Sequence, residues 1–285
     1  MNQIIKSIRN KAKMNQEQFA NSLGTTVVSI NRWENSKTFP NKIAQKAILD
    51  FCKDNNIDIY DDIINNIINN VIMNKENCLY YHGSKKGING RISPISRDMC
   101  DFGKGFYIGT EPSQPLTLIC DEESPVFYSL ELDFKDLKVL NIDVNLDWAM
   151  IIAYYRGYMD SVKDSDIYLK YKKMTDGYDV IIGCIADDRM YRVMKSFFEN
   201  EITDIALLHS LSALDLGKQI VCKTQKACDC IKIVNERKLS FFELSVLKEK
   251  SINRRNDAVL KTESILRKYR RDGLYFDEII GDKNE

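Results

Sequence analysis

Histidine is nearly absent from this chain, with His82 and His209 the only two among 285 residues. The eight cysteines form no C-x-x-C pair, so a structural zinc site, which needs four ligands at characteristic spacings, is not expected. Long apolar runs are missing as well. Stretches such as Trp148-Ala149-Met150-Ile151-Ile152-Ala153 fall far short of the roughly 20 residues that cross a bilayer, and no membrane span is expected. The start, Met1-Asn2-Gln3-Ile4-Ile5-Lys6, lacks the basic segment and apolar core of a secretory signal, so the expectation is a cytoplasmic protein with reduced thiols. Net charge is absent too, 41 Lys and Arg balancing 41 Asp and Glu, which excludes a chain that coats nucleic acid along its whole surface. What is present is 44% hydrophobic content, in a chain long enough for one large or two modest domains with a real core.

The charge is unevenly placed. Within residues 1–49, Lys6, Arg9, Lys11, Lys13, Arg32, Lys37, Lys42 and Lys46 face only Glu17 and Glu34, a net charge of +6. A basic amino-terminal unit on a neutral chain is the footprint of a DNA-binding module. Asn15 stands three positions before Gln18, followed by Phe19, Ala20 and Leu23 at helical spacing and Gly24 as a stop, which predicts one short helix. Thr25-Thr26 then opens a second helix in which Val27, Ile30 and Trp33 face inward and Thr26, Ser29, Asn31 and Arg32 face outward. Two short helices joined by a tight Gly turn predict a helix-turn-helix, whose second helix enters the major groove. Gln16 to Ala20 together with Ser29-Ile30-Asn31-Arg32-Trp33-Glu34-Asn35-Ser36-Lys37-Thr38-Phe39-Pro40 resembles the Xre/Cro-repressor type. That resemblance implies DNA contacts through Gln16, Thr26, Ser29, Asn31 and Arg32. Over 57–72, Ile63, Ile67 and Val71 beside Ile64, Ile68 and Ile72 predict an amphipathic helix that closes the small domain's core, with a homodimer seam as the alternative. This domain is expected over residues 1–73, with a linker near Asn74–Asn77.

From Cys78 the pattern changes to short β-type runs at 79–82, 105–109, 126–132, 139–142, 179–183 and 219–222, with helical stretches at 113–120, 146–157, 187–200 and 203–214 between them. The predicted class is α+β, an all-α helix-turn-helix domain followed by a strand-and-helix domain over 78–235. Tyr80-Tyr81-His82-Gly83-Ser84 ends a strand on a histidine beside a Gly that lets a ligand reach the backbone. Asp101-Phe102-Gly103-Lys104-Gly105-Phe106-Tyr107-Ile108-Gly109-Thr110 is a glycine-punctuated loop entering an aromatic strand, without Rossmann or P-loop spacing. Beyond 235, Phe241 to Leu247 and Ile252 to Leu266 predict a helical extension over 236–285, interrupted near Asn253–Asn256. Its Arg267-Lys268-Tyr269-Arg270-Arg271 run reads as a solvated helix end, with contact to nucleic acid or to a partner's acidic face as the alternative.

The His-Gly-Ser and Phe-Gly-Lys-Gly-Phe-Tyr motifs, in that order, resemble the ADP-ribosyltransferase fold of the diphtheria-toxin and poly-ADP-ribose-polymerase branch. A related, uncharacterised bacterial family of predicted ADP-ribosyltransferases is resembled through Tyr178 to Arg189 and Gln219 to Ala227 as well. The resemblance implies a split β-sheet and a site for NAD as substrate, with no metal. His82 is implied on the adenosine ribose, the Gly83 backbone on the nicotinamide amide, Ser84 at the strand end, and Tyr107 stacked on the nicotinamide ring. Phe102 and Gly105 are implied beside the dinucleotide. Gln219 stands where the branch carries a catalytic Glu, keeping the hydrogen bond and losing the charge. Asp187 and Asp188 offer a carboxylate to replace that charge or activate an acceptor, or else cap a helix, and Arg189 is implied as a phosphate ligand. The fusion implies a toxin of a toxin–antitoxin or phage-defence locus that binds its own promoter, with an antitoxin protein and a macromolecular ADP-ribose acceptor, protein or nucleic acid, as partners. Two further readings are a transcriptional regulator whose transferase fold is degenerate and binds NAD or a partner, and an NAD glycohydrolase.

Overall fold

The computed structural model describes residues 1–68, 79–186, 188–212, 217–269 and 272–281. Five helices open the chain, α1 (Asn2–Lys11), α2 (Gln16–Ser22), α3 (Val27–Glu34), α4 (Lys42–Asp54) and α5 (Tyr60–Ile68). Their starts follow from short polar residues. Asn15 Oδ1 accepts from Gln18 N and the Gln18 side chain accepts from Asn15 N, closing a capping box on α2. Thr26 and Asn41 cap α3 and α4 by the same chemistry. Gly24 turns the chain between α2 and α3 at φ +62°, a conformation that a residue with a Cβ adopts only at a cost. Ile30 and Trp33 are buried as expected, but Val27 is 41% exposed, because it is the first residue of α3 and projects beyond the turn that packs.

The second part of the chain runs β1 (Tyr80–Ser84), β2 (Phe106–Gly109), α6 (Ser113–Ile119), β3 (Val126–Leu132), β4 (Val139–Asn141), α7 (Leu146–Tyr155), α8 (Asp166–Met174), β5 (Val180–Cys184), α9 (Asp188–Phe198), α10 (Asp204–Ser212), β6 (Lys218–Cys222), α11 (Gln225–Asp229), β7 (Ile231–Lys238), α12 (Phe241–Lys268) and α13 (Phe276–Ile280). The seven strands form one sheet in the order β4-β5-β6-β2-β1-β3-β7. Only β4 and β5 are parallel, so the sheet is mixed and the class is α+β. A split sheet is the expectation, and a single sheet is found, whose weakest join lies between β1 and β2. β1 and β2 are registered at one pair, Tyr81 opposite Gly109, while β1 and β3 are registered at five and β2 and β6 at four.

Two expectations about the ends of this part are corrected. β7 continues to Lys238, past the boundary expected at 235. The carboxy-terminal helix is unbroken through 253–256. Nothing in 241–268 stops a helix: the segment contains no Gly or Pro, Asn is only mildly unfavourable in a helix interior, and Ser240 with Glu243 closes a capping box at its start. Tyr269 stacks on His209 at 3.9 Å and 8°, so the aromatic of the basic run is a packing residue. Arg270 and Arg271 lie outside the described residues, as does the expected linker.

The two modules also share a core, where separate ones were expected. Ile8, Phe19, Ile30, Phe51 and Ile63 of the helical part are continuous with Leu116 of α6, Phe127 of β3, and Phe242 and Leu247 of α12. A polar seam runs beside them. Arg237 donates to Asn66 O at 2.8 Å and pairs with Glu243, whose Oε1 accepts from Asn66 Nδ2 at 3.2 Å. Lys250 of α12 pairs with Asp58 at 2.8 Å. A second cluster, with Phe102, Trp148, Ile151, Met190 and Phe197, fills one face of the β5–β6 half under α7, α9 and α10. A third, with Phe106, Ile108, Tyr128, Leu130 and Ile220, lies on the other face.

Candidate functional site

The seam between β1 and β2 is where the sequence-predicted residues meet. His82 follows Tyr81, the one β1 residue registered with β2, and its imidazole stacks on Phe106 with ring centroids 4.4 Å apart. His82 Nδ1 lies 2.7 Å from the Tyr107 carbonyl oxygen. A carbonyl only accepts, so Nδ1 carries the hydrogen. Burial holds the His82 pKa below its ordinary value, outweighing the opposite pull of that hydrogen bond, and the ring is neutral at pH 7. The consequence is an Nε2 that offers a lone pair, and among the described residues no hydrogen bond reaches it. The side chain thus supplies the donor that the parted β1–β2 ladder no longer supplies.

Tyr107, partly exposed on β2, is fixed through its hydroxyl. It donates to Gly103 O at 2.7 Å and accepts from Phe102 N at 3.1 Å. Burial pushes the phenol well above its ordinary range, so it stays protonated. Lys223 donates its Nζ to Phe102 O and lies 4.7 Å from the centre of the Tyr155 ring. Burial pulls that amine down to about 8. Gly103 sits at φ +69°, and a Cβ there would meet the Tyr155 ring at 2.6 Å. The loop 101–105 is therefore bound from both sides.

Two of the residues implied beside the dinucleotide, Phe102 and Gly105, are placed here by packing, while Gly83 keeps its main chain open. Phe102 is 0% exposed and packs beneath Gly183, so its ring is core and has no face for a ligand. Gly105 is small because β6 passes close, a Cβ there standing 2.4 Å from Val221. Gly83 has its side-chain side closed by α6, with Pro115 O at 2.8 Å from a Cβ, so only its main chain remains for a ligand. Ser84 Oγ donates to Gly87 O at 3.0 Å and ties the strand end to its own turn.

Gln219 lies one strand further over. Tyr107 is opposite Val221 and Gly109 opposite Gln219, which places Tyr107 and Gln219 diagonally on one face of the sheet. Gln219 is 4% exposed. Its Nε2 donates to Asp101 Oδ2 at 2.8 Å and to Cys184 O at 3.0 Å. Asp101 also accepts from Ala186 N at 3.1 Å and pairs with Arg156, whose guanidinium lies over the Tyr191 ring at 4.4 Å. Sequence reasoning passed over Asp101, although it opens the glycine loop, and over Arg156, which no motif marks. Asp187 lies outside the described residues. Asp188 opens α9, and its side chain and that of Arg189 lie outside them too. Among the described residues no three His, Cys, Asp or Glu side chains converge as metal ligands.

On the helical part, Thr26, Asn31 and Arg32 are exposed on α3 and Ser29 is half-buried. Thr26 Oγ1 accepts from Ser29 N at 3.1 Å, so this hydroxyl serves as a cap. Gln16 is turned inward, its Nε2 donating to Glu34 Oε2 at 2.7 Å beside the Arg9–Glu34 ion pair. Val28, 59% exposed, joins Asn31 and Arg32 on the outer face. Its i, i+3, i+4 spacing to them was the available signal.

Residues 5–48 match the helix-turn-helix family, which supports DNA binding by this part of the chain. No helix among the described residues is long and apolar enough to cross a membrane. No curated protein and no solved structure matches the chain. Residues 78–233, more than half of the sequence, match the family described as Protein of unknown function (DUF3990), and the chain belongs to that family.

Proposed function

We propose that this chain is a DNA-binding mono-ADP-ribosyltransferase that takes NAD as its substrate, acting in the cytoplasm as the toxin of a toxin–antitoxin or phage-defence system. The observation that carries the reading is the His82 imidazole bonded to the Tyr107 carbonyl across the parted strands. It fixes a neutral acceptor, His82 Nε2, on the strand next to the one that carries the Tyr107 ring, an acceptor that suits a ribose hydroxyl and a ring that suits a flat aromatic amide. In the reaction the bond between the ribose C1′ and the nicotinamide nitrogen breaks with its electron pair leaving on nicotinamide. A nucleophile on a protein or nucleic-acid acceptor then forms the new bond to C1′ and gives up its proton. His82 on the adenosine ribose and Tyr107 on the nicotinamide ring hold the two halves of NAD, so their share is orientation. The exposed Thr26, Val28, Asn31 and Arg32 leave α3 open to a DNA groove while the second part of the chain works. An antitoxin protein is the remaining partner of this proposal.

The test is incubation of the purified full-length protein with NAD labelled on the adenylate side, in cell extract, followed by separate nuclease and protease treatment. Label retained on a macromolecule is the expected result, and the treatment that releases it names the acceptor class. Free ADP-ribose alone would make the protein a glycohydrolase. A second reading, a DNA-binding regulator with a retired transferase fold, is favoured by Gln219, an uncharged amide in the place of an acid. Binding of NAD without its consumption would decide for it.

A further inference from the structure

The cluster of half-buried Arg156 with buried Asp101 and Gln219 is not accounted for by the reading above. We infer that Asp101, held by Arg156, is a positioning residue that locks the Gln219 amide with Oε1 as the only atom it offers, an uncharged acceptor for a ribose hydroxyl of the substrate. The ligand in this inference rests on the reading proposed above; the lock itself does not.

A primary amide has two hydrogens on nitrogen, and both are used here. One goes to Asp101 Oδ2 at 2.8 Å and the other to Cys184 O at 3.0 Å. A carboxylate paired with a guanidinium and a backbone carbonyl are obligate acceptors, so the flipped amide would set oxygen against oxygen twice. The orientation of Gln219 is thus dictated by its partners. Among the described residues no hydrogen bond reaches its Oε1. Buried side-chain atoms without a partner occur elsewhere, Gln114 Nε2 and Arg156 Nε among them, yet Gln219 Oε1 is not one of these sealed atoms. It remains open to a donor. Asp101 is itself fixed by three groups, Arg156, Ala186 N and Gln219, so it cannot turn away.

This lock gives Gln219 a reason to differ from an acid. A Glu at 219 would stand a second carboxylate against Asp101 and leave the Asp101 and Cys184 oxygens without their donors, an unfavourable arrangement in a buried site. Gln219→Glu is therefore expected to weaken the site, whereas a merely eroded position would be improved by it. Exchanging the two groups keeps one negative charge beside Arg156 and restores a donor between the positions.

The experiment is a double-mutant cycle on the full-length protein with Gln219→Glu, Asp101→Asn and the two combined, reading the melting temperature and the kcat and KM for NAD. Each single change is expected to lower the melting temperature and to cut kcat at least about tenfold, a cost in keeping with lost orientation. The combined variant should recover more than half of the melting temperature, and kcat with it, while KM for NAD stays within about twofold throughout, as expected of an interaction that strengthens only in the transition state. Should both single variants fail to fold and the combined one fold, the coupling stands. Arg156→Lys, at a side chain 19% exposed, reads the same lock through kcat without a change inside the core. Higher kcat in Gln219→Glu at an unchanged melting temperature, or strictly additive losses, would overturn the inference. If the wild type neither binds nor consumes NAD, the functional reading fails and takes the ribose hydroxyl with it, and the melting cycle alone then decides whether the amide is locked.

Discussion

At His82 a side chain takes over a task that the backbone performs elsewhere in the sheet. Where β1 and β2 part, the imidazole donates to the Tyr107 carbonyl, and no second histidine is near to share the role. The motif His-Gly-Ser could be read from the sequence because it is local, but the tautomer could not, since it depends on a carbonyl 25 positions along the chain. Tyr107 is similar: its place on an aromatic strand is local, while its hydroxyl is tied to the loop before it. Tyr107→Phe removes the bonds to Gly103 O and Phe102 N, leaving a part-buried amide without a partner. A loss of about 1–3 kcal/mol in unfolding free energy is expected, measurable by urea titration, and a loss below about 0.5 kcal/mol would mean that the loop is held by Lys223 alone.

At the scale of elements, α3 brings exposed Val28, Asn31 and Arg32 onto one face through its helical spacing. Arg32 is exposed and no other side chain holds it among the described residues, so Arg32→Ala should leave the fold intact and weaken DNA affinity. If Arg32 meets a phosphate, the slope of log affinity against log salt should fall by about one; a base contact would instead relax preference at one operator position. Unchanged affinity in a mobility-shift titration would remove Arg32 from the interface. The helix starts at Asn15 and Thr26 follow from caps, and the limits of β3 from a short run of β-type residues. The interruption expected in α12 did not, because a run of Asn and Arg without Gly or Pro weakens a helix only slightly.

For the whole molecule, the shared core matters most. Phe242 of α12 is 0% exposed and lies in the same cluster as Phe19, Ile30 and Phe127, so it belongs to both parts at once. Phe242→Ala is expected to cost about 3–5 kcal/mol, and calorimetry should show one transition moving down as a unit. Two separated transitions, only one of them shifted, would mean that the helix-turn-helix unfolds independently.

Local chemistry accounts for the parts that neighbouring residues could specify: the helix-turn-helix, the order of strands from β1 to β6, and the motifs that bring His82 and Tyr107 to adjacent strands, though not α8, which the sequence reading missed. Such features arise from periodicity and capping over a few positions, where a sequence carries its strongest signal. The docking of the first module through α12, the closure of Gly83 by α6, and the meeting of Arg156, Asp101 and Gln219 came from the packed fold. Each depends on surfaces brought together from 30 to more than 170 positions apart, and burial and charge pairing at that range leave no periodic trace along the chain.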